Sequence, residues 1–367
     1  MRRVHILIPT IQPNDAVGND AALMLRVLRD AGYDAHLYAE HIHAACAPFS
    51  TKISSEHSAL WDDPDALMIY HHAILWELGE DLLARTRNRI AIKYHNVTPP
   101  EFFSSYGQHY YWACVKGKES NARLAAIPNI WVWGDSAFNT EEYRELGVPE
   151  SRCRVVAPLH KIEEFSRQPF DSVVLGSYRR HDTFNMLFVG GMRPNKGHAR
   201  ALEITAALRN LLARPVRLFL VGSFDPYLSS YLEDLQQYVK HLELSTEVEF
   251  ACSVSPSQLR SFYLNASAFL CVSEHEGFCV PLVEAMAFRV PVVVWNTTAT
   301  GETTGGCGLV YEHFDAETIA EGLASLSEDP VLGRRLATSG RKRYESVFHP
   351  DAISARLLEL TKEVLEQ

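Results

Sequence analysis

The segment that decides the fold is residues 268–287, which read AFLCVSEHEGFCVPLVEAMA. Its first five residues are apolar, as in a buried strand, and the loop that follows contains Gly277. Pro281 suits the first turn of a helix, which we expect to extend to residue 287. The segment therefore predicts a strand, a loop and a helix in succession, the unit from which parallel α/β sheets are built.

The same succession recurs throughout the chain. In the first half, short apolar runs predict strands at 4–9, 35–39, 66–70, 89–94, 129–132 and 154–157. In the second half, strands are predicted at 186–189, 217–221, 248–250, 268–272 and 290–294, with helices at 198–212, 228–242, 256–264 and 281–287. The predicted fold class is α/β, with two Rossmann-like, doubly wound parallel sheets in tandem.

We expect two domains and two shorter segments. Residues 1–165 form the N-terminal domain and 184–348 the C-terminal domain, and the polar stretch 166–183 links them. The step from His349 to Pro350 interrupts the helical C-terminus, so we expect 349–367 to be a separate helix that packs back on the N-terminal domain. Because ligands bind at the carboxyl ends of parallel strands, the two sheets are expected to face a central cleft.

Composition excludes several classes of protein. The 367 residues are 47% hydrophobic and 22% charged, which is typical of a folded globular chain. A net charge of -10 disfavours broad nucleic-acid binding. No apolar run approaches the roughly 18 residues of a membrane span, and the N-terminus does not resemble a secretory signal, so we expect a cytoplasmic protein. The seven cysteines form no C-x-x-C pair and are expected to be reduced thiols.

The loop after the strand at 186–189 has the groups that a diphosphate needs. It contains Gly190 and Gly191, which permit a close backbone approach. Arg193 and Lys196 then supply two positive charges. Considered alone, the loop could equally be a tight turn with solvated charges.

The loop of the deciding segment carries two carboxylates. The amides of residues 277–280 lie at the positive end of the predicted helix, where they can hold phosphate oxygens. Glu276 in the loop and Glu284 in the helix could accept hydrogen bonds from hydroxyl groups on either side of a diphosphate. Taken singly, Glu276 could be a capping or exposed residue and Glu284 a partner of the helix dipole.

Together these loops resemble the family 4 retaining glycosyltransferases of GT-B fold. The elements follow the family's order: the G-G-x-R-x-x-K-G loop, residues 221–223, residues 250–253, the S-E-H-E-G-F-C-V-P-L-V-E-A-M-A motif and residues 305–308. The resemblance covers essentially the whole chain and is strongest over 184–312. It implies that Arg193 and Lys196 bind the diphosphate of a nucleotide-sugar donor, Glu276 its sugar and Glu284 its ribose. The other donor-binding residues that we expect are Gly190, Gly191, Ser253, Gly277, Phe278, Cys279 and Val280.

The resemblance also assigns residues in the first half. His95 matches the histidine that contacts the transferred sugar, although a buried structural histidine is the alternative reading of that residue alone. Gly18, in the loop of residues 10–19, matches a glycine-containing loop near phosphate and acceptor. Residues 94–100 resemble the mannosyl-type subgroup. Two departures from the commoner family sequence, Cys279-Val280 and Thr300-Gly301-Glu302, resemble bacterial mannosyl- or rhamnosyl-type enzymes.

The resemblance implies a retaining, metal-independent hexosyltransferase for cell-surface polysaccharide synthesis. We expect it to move mannose or a related sugar from a GDP-sugar to a saccharide or lipid-linked acceptor, without a further cofactor. A UDP-sugar donor, another GT-B activity such as a sugar epimerase or phosphorylase, and an inactive scaffold are the alternatives. His71 and His72 have no carboxylate or thiolate at ligand spacing in the sequence, which argues against zinc.

Residues 106–123 combine aromatic and cationic side chains. They are either ordinary surface or a face that meets a lipid-linked acceptor at the inner side of the cytoplasmic membrane.

Overall fold

The computed structural model describes residues 2–13, 15–53, 61–178 and 182–366. The chain divides into two compact units. The first comprises the chain up to Pro100, Trp112–Lys161 and the chain from His349 onward. The second comprises Glu101–Tyr111 and Ile162–Phe348. Each unit is built on one parallel sheet, so the predicted fold class is confirmed.

The first unit contains a seven-stranded sheet. Its strands are β1 (Arg3–Ile11), β2 (Asp34–Ile42), β3 (Thr51–Lys52), β4 (Leu67–His72), β5 (Arg89–Tyr94), β6 (Trp131–Gly134) and β7 (Cys153–Val155). Its helices are α1 (Ala16–Asp30), α2 (Glu77–Arg85), most of α3 (Gln108–Ala125), α4 (Ala137–Glu145) and α14 (Pro350–Glu366). The strand order is β3-β2-β1-β4-β5-β6-β7, and the chain therefore reverses its direction of winding between β1 and β4.

The core of the first unit lies on both faces of this sheet. Successive side chains of a strand point to opposite faces, and β1 follows this rule with apolar residues on each side. Ile6 and Ile8 pack in one cluster, which includes Leu357 and Leu360 of α14, whereas Leu7 packs in the other. The C-terminal helix thus supplies part of the core of the first unit.

The second unit contains a six-stranded sheet. Its strands are β8 (Phe184–Val189), β9 (Val216–Gly222), β10 (Val248–Cys252), β11 (Ala268–Cys271), β12 (Val292–Trp295) and β13 (Leu309–Tyr311). Its helices are α5 (Ile162–Ser166), α6 (Ser172–Tyr178), α7 (His198–Leu211), α8 (Ser229–His241), α9 (Pro256–Asn265), α10 (Val280–Ala287), α11 (Thr300–Thr304), α12 (Ala316–Glu328) and α13 (Pro330–Arg343). The order β10-β9-β8-β11-β12-β13 places the reversal of winding between β8 and β11, where such sheets bind ligands.

The expected linker is the main error in the sequence reading of the fold. Residues 166–183 were expected to be a connection, but α6 lies there and packs on α9 of the second unit. The backbone N–H of Asp171 donates to Ser261 Oγ at 2.8 Å, and the Asp171 carboxylate caps α6. Helices of five and seven residues are too short to give a clear helical period, which is why the sequence did not reveal α5 and α6.

Two smaller differences concern strands and domain limits. The short strands β3 and β13 were not predicted. Residues 101–111 were expected in the N-terminal domain but belong to the second unit. Among the described helices, none has both the length and the apolar character that crossing a membrane requires.

Two glycines allow the loop after β8 to approach its neighbours closely. Gly197 has a φ of +75°, and a Cβ atom there would lie 1.9 Å from the carbonyl oxygen of Val272. A Cβ atom on Gly222, at the end of β9, would lie 1.8 Å from the carbonyl oxygen of Gly190. Larger residues at these positions would push the loop away from the ends of β9 and β11.

We predict that Gly197→Ala lowers the free energy of unfolding by more than about 2 kcal/mol, because it combines a backbone clash with an unfavourable φ. Urea denaturation measures the change. Gly176→Ala is the matched control, since a Cβ atom there meets no atom within 4 Å and alanine favours a helix. Equal stability of the Gly197→Ala variant and the parent would show that this close approach is not required.

A second prediction concerns His5, which lies in β1 and is fully buried beside Tyr38 and Trp61. Neither of its ring nitrogens has a hydrogen-bond partner among the described residues. Burial, helped by the charges of His36 and Arg3, lowers the pKa of His5 to about 4. An unfolded histidine has a pKa of about 6.5, so the unfolded state gains protons first as the pH falls, and stability decreases between about pH 6.5 and 4.

His5→Phe should remove this loss, which we expect to be roughly 2 kcal/mol between pH 7.5 and pH 5. Urea denaturation at the two pH values measures it. His41→Phe is the control, because the exposed His41 is solvated in both states. The same pH dependence in the His5→Phe variant and the parent would contradict the prediction.

Candidate functional site

The candidate site of the second unit lies in the two loops that follow β8 and β11. These strands are neighbours in the sheet, and the winding reverses between them. The first loop contains Gly190, Gly191 and a 3-10 helix over Pro194–Lys196, for which Arg193 occupies the N-cap position. The second loop contains Glu276 and leads into α10.

Asn195 links the two loops by hydrogen bonds. The sequence analysis did not identify it. Its side chain is buried, and its Nδ2 donates to the carbonyl oxygen of His275 at 3.1 Å. The backbone carbonyl oxygen of Asn195 accepts from the backbone N–H groups of Glu274 and His275, at 2.9 and 3.2 Å. Only its position between Arg193 and Lys196 could have suggested a role.

Lys196 and Glu276 form the central ion pair of the site. The Lys196 Nζ donates to both carboxylate oxygens of Glu276 at 2.8 Å, and the two side chains are 23% and 10% exposed. Burial acts to lower the pKa of Lys196, but the Glu276 carboxylate outweighs it and the net direction is up. Ser273 Oγ also donates to Glu276 at 2.8 Å. Lys196 therefore keeps its charge, and both side chains are held in place.

The loop after β12 supports the backbone of the second loop. Thr298 Oγ1 accepts from the N–H of Glu276 at 2.9 Å and donates to its carbonyl oxygen at 2.7 Å. Thr303, in α11, donates from its hydroxyl to the carbonyl oxygen of Phe278 at 2.8 Å. Neither threonine was identified from the sequence, since both lie in a separate part of the chain, after β12.

The N-terminus of α10 can hold an anion. Cys279 occupies the N-cap position with a φ of +77°, and no side chain caps this end. The first amides of a helix lack partners within it and carry partial positive charge. Val280 begins the helix, so its N–H lies at this positive end, whereas Phe278 and Cys279 come just before the helix. Phosphate binding by the amides of residues 277–280 stays a prediction.

Glu284 lies in the second turn of α10. Its Oε2 accepts from the hydroxyl of Tyr263 at 2.6 Å. Burial raises the pKa of the Glu284 carboxyl, and the hydrogen bond from Tyr263 opposes the rise. One carboxylate oxygen is thus engaged by the protein, and the predicted binding of a ribose by Glu284 stays a prediction.

Ser253 also lies beside the first loop. It has a φ of +60°, and its N–H donates to the carbonyl oxygen of Gly222 at 3.1 Å. Gly222, which ends β9, approaches Gly190 closely, so Ser253 is linked to the glycine loop through Gly222. Its predicted contact with the donor stays a prediction.

In the first unit, His95 follows β5 in a buried polar network. Its Nδ1 lies 2.9 Å from Asp135 Oδ2, its Nε2 lies 2.9 Å from His71 Nδ1, and its side chain is 5% exposed. Lys93, fully buried, donates to Asp135 and lies 3.8 Å from Asp20 Oδ2. Burial raises the pKa of Asp20 and lowers that of His71. His95 is therefore firmly oriented, and its contact with a sugar stays a prediction.

The sequence argument against metal binding by His71 and His72 was wrong in one respect. His71 does have a carboxylate nearby: Asp20, His71 and His95 offer ligand atoms within 4.8 Å of one another. Asp20 comes from α1, so the spacing along the chain could not show this. The Lys93 ammonium beside Asp20 already supplies a positive charge there, which disfavours a metal ion. His72 instead binds Asn121 through Nε2, at 2.7 Å.

Gly18 does not lie in a loop, contrary to the sequence expectation. Helix α1 begins at Ala16, with Asp15 as its N-cap, and Gly18 is buried in its first turn. The N–H of Gly18 donates to the Asp15 carboxylate at 2.7 Å. The helix starts early because Asp15 caps it, a signal that was present in the sequence and was not used.

Comparisons with known proteins agree with this architecture. An MMP alpha-(1->4)-mannosyltransferase of Mycolicibacterium hassiacum is 29% identical over 166 residues, covering 44% of this chain and 39% of the relative. A GDP-mannose:cellobiosyl-diphosphopolyprenol alpha-mannosyltransferase of Xanthomonas oryzae is 28% identical over 200 residues, covering 53% and 49%. The matches thus span less than half of each of these relatives.

A solved Anabaena protein in complex with UDP and glucose has a TM-score of 0.76 at 14% identity, covering 99% of this chain and 100% of that one. This likeness shows the fold. Residues 177–343 match the family model of glycosyl transferases group 1. They are therefore a domain of that family, which confirms the resemblance to the family 4 glycosyltransferases of GT-B fold.

Proposed function

We propose that the protein is a retaining glycosyltransferase that moves mannose or a related hexose from a GDP-sugar to a saccharide or lipid-linked acceptor. The observation that carries the proposal is the Lys196–Glu276 pair, fixed beside the uncapped N-terminus of α10. This arrangement supports the proposal, because a sugar diphosphate requires positive groups for its phosphates and a hydrogen-bond acceptor for its hydroxyl groups.

The positive groups would stabilise the leaving diphosphate. Breaking the bond between the sugar C1 and the phosphate oxygen leaves negative charge on the diphosphate. Lys196 has three N–H donors, of which Glu276 takes two, so one remains to donate to a phosphate oxygen. Arg193 and the amides of Phe278 to Val280 would supply the remaining donors. The proposed reaction draws this stabilisation from the protein's own groups, without a metal ion.

The carboxylate of Glu276 would accept hydrogen bonds from the hydroxyl groups of the donor sugar. Oε1 already accepts from Lys196 and Ser273, whereas Oε2 accepts only from Lys196 and keeps a lone pair for a sugar hydroxyl. Retention follows if the acceptor hydroxyl attacks C1 on the face that the diphosphate leaves. A phosphate oxygen then takes the proton of that hydroxyl, so no protein nucleophile is needed.

The proposal also specifies the nucleotide of the donor, GDP instead of UDP. The relative from Xanthomonas oryzae is named for GDP-mannose, whereas the Anabaena neighbour was solved with UDP. The resemblance of residues 94–100, Cys279-Val280 and Thr300-Gly301-Glu302 to mannosyl- or rhamnosyl-type enzymes favours GDP. A lipid-linked acceptor would bring the protein to the inner face of the cytoplasmic membrane, where we propose that it acts in surface polysaccharide synthesis.

We predict that GDP raises the thermal unfolding midpoint more than UDP or ADP does, because a ligand that binds the native state stabilises it by mass action. Thermal unfolding with each nucleotide at equal concentration measures the order. A larger shift with UDP would support the alternative of a UDP-sugar donor. No shift with any of the three would contradict the nucleotide-sugar proposal.

We also predict that Lys196→Ala and Glu276→Ala each abolish sugar transfer, with turnover reduced at least 100-fold. The assay follows release of nucleoside diphosphate from GDP-mannose, or from the donor whose nucleotide binds best, in the presence of a bacterial lipid extract. Lys240→Ala, at an exposed lysine in α8, is the control and should retain the parental rate. Near-parental turnover in either site variant, with its thermal midpoint unchanged, would refute the assigned roles.

A further inference from the structure

The chain from Glu101 to Tyr111 belongs to the second unit, although the residues on both sides of it belong to the first. We call these residues the 101–111 segment. It contains most of a 3-10 helix over Pro100–Phe103 and the beginning of α3. No sequence motif assigned this segment to the donor site.

Tyr110 makes the contact that bears on donor binding. The guanidinium of Arg193 lies over its ring, 5.6 Å from the ring centroid. An aromatic face attracts a guanidinium and can fix its plane. Among the described residues, Arg193 forms no ion pair, and its guanidinium contacts the Tyr110 ring.

Asp225 holds Tyr110 in place. The Tyr110 hydroxyl donates to Asp225 Oδ2, and the N–H of Tyr227 donates to Asp225 Oδ1 at 3.0 Å. Both carboxylate oxygens of Asp225 are therefore occupied. This leaves the carboxylate less able to draw Arg193 into an ion pair and away from an incoming phosphate.

Two other aromatic contacts of the 101–111 segment lie near the site loops. Tyr106 packs edge-on against Tyr231, with centroids 5.0 Å apart, and the Tyr231 hydroxyl lies 3.2 Å from Nδ1 of His198, which begins α7. The ring centroid of Phe102 lies 6.3 Å from that of His275, the residue before Glu276. The segment thus lies near the end of one loop and the middle of the other.

We propose that Tyr110 is a positioning residue for donor binding: anchored by Asp225, its ring orients the Arg193 guanidinium toward the diphosphate. This inference rests on the proposed function, in which Arg193 binds that group. A free arginine side chain must lose rotational freedom when it binds a phosphate. A guanidinium already held in its plane loses less, so the affinity for a nucleoside diphosphate is higher.

A double-mutant cycle tests the proposal. The affinity of GDP, or of UDP if UDP gives the larger thermal shift, is measured by titration calorimetry for the parent, Tyr110→Leu, Arg193→Ala and the double variant. We expect Tyr110→Leu alone to weaken binding five- to tenfold. In the Arg193→Ala background the same change should weaken it less than twofold, because Tyr110 acts through Arg193.

Two further variants separate positioning from folding. Tyr110→Phe keeps the ring but loses the bond to Asp225, so we expect a smaller loss of affinity, two- to threefold, with the thermal midpoint near the parental value. Trp112→Leu, at a residue that is 56% exposed on the same helix, should leave affinity unchanged.

The outcomes distinguish this inference from the proposed function. Equal losses from Tyr110→Leu in both backgrounds would overturn the positioning role, and so would parental affinity in both Tyr110 variants. If the parent bound no nucleoside diphosphate at all, the proposed function would fail together with this inference.

Discussion

The ion pair between Lys196 and Glu276 is the interaction on which the rest of the candidate site depends. A charge that is largely removed from water is costly unless an opposite charge and further hydrogen bonds compensate it. Here the two partners come from loops eighty positions apart in the chain. They meet only because neighbouring strands, β8 and β11, end side by side, and because glycine at 197 lets the backbones touch.

The same constraint explains why so many polar groups around this pair are committed to structural hydrogen bonds. Asn195, Thr298 and Thr303 satisfy backbone groups of the loops and contact neither charge through their own side chains. A loop held in this way keeps its amides and its carboxylate in one arrangement before any ligand arrives. Such groups stabilise a developing charge most strongly when they are already in position. If they had to reorient first, the energy of reorientation would cancel part of the stabilisation.

The sequence predicted the sheets well because each buried parallel strand is a continuous apolar run, which needs no knowledge of its neighbours. It also identified Lys196 and Glu276, although it could not show that they touch. It could not predict Asn195 or the network around His95, because Asp20, His71 and Asp135 come from separate elements whose proximity is a property of the folded chain. Helices α5 and α6 were not predicted for a different reason. They have five and seven residues, too few to show the 3.6-residue period of a helix.

The assignment of Leu357 and Leu360 to the core of the first unit has a consequence for how this chain can be divided. The polypeptide passes from one unit to the other four times, after Pro100, Tyr111, Lys161 and Phe348. No single cut of the gene therefore yields a fragment that contains one complete unit and nothing of the other. Cleavage near residue 348 would leave α14 joined to the first unit only by its apolar packing, which includes Leu357 and Leu360, and by other non-covalent contacts.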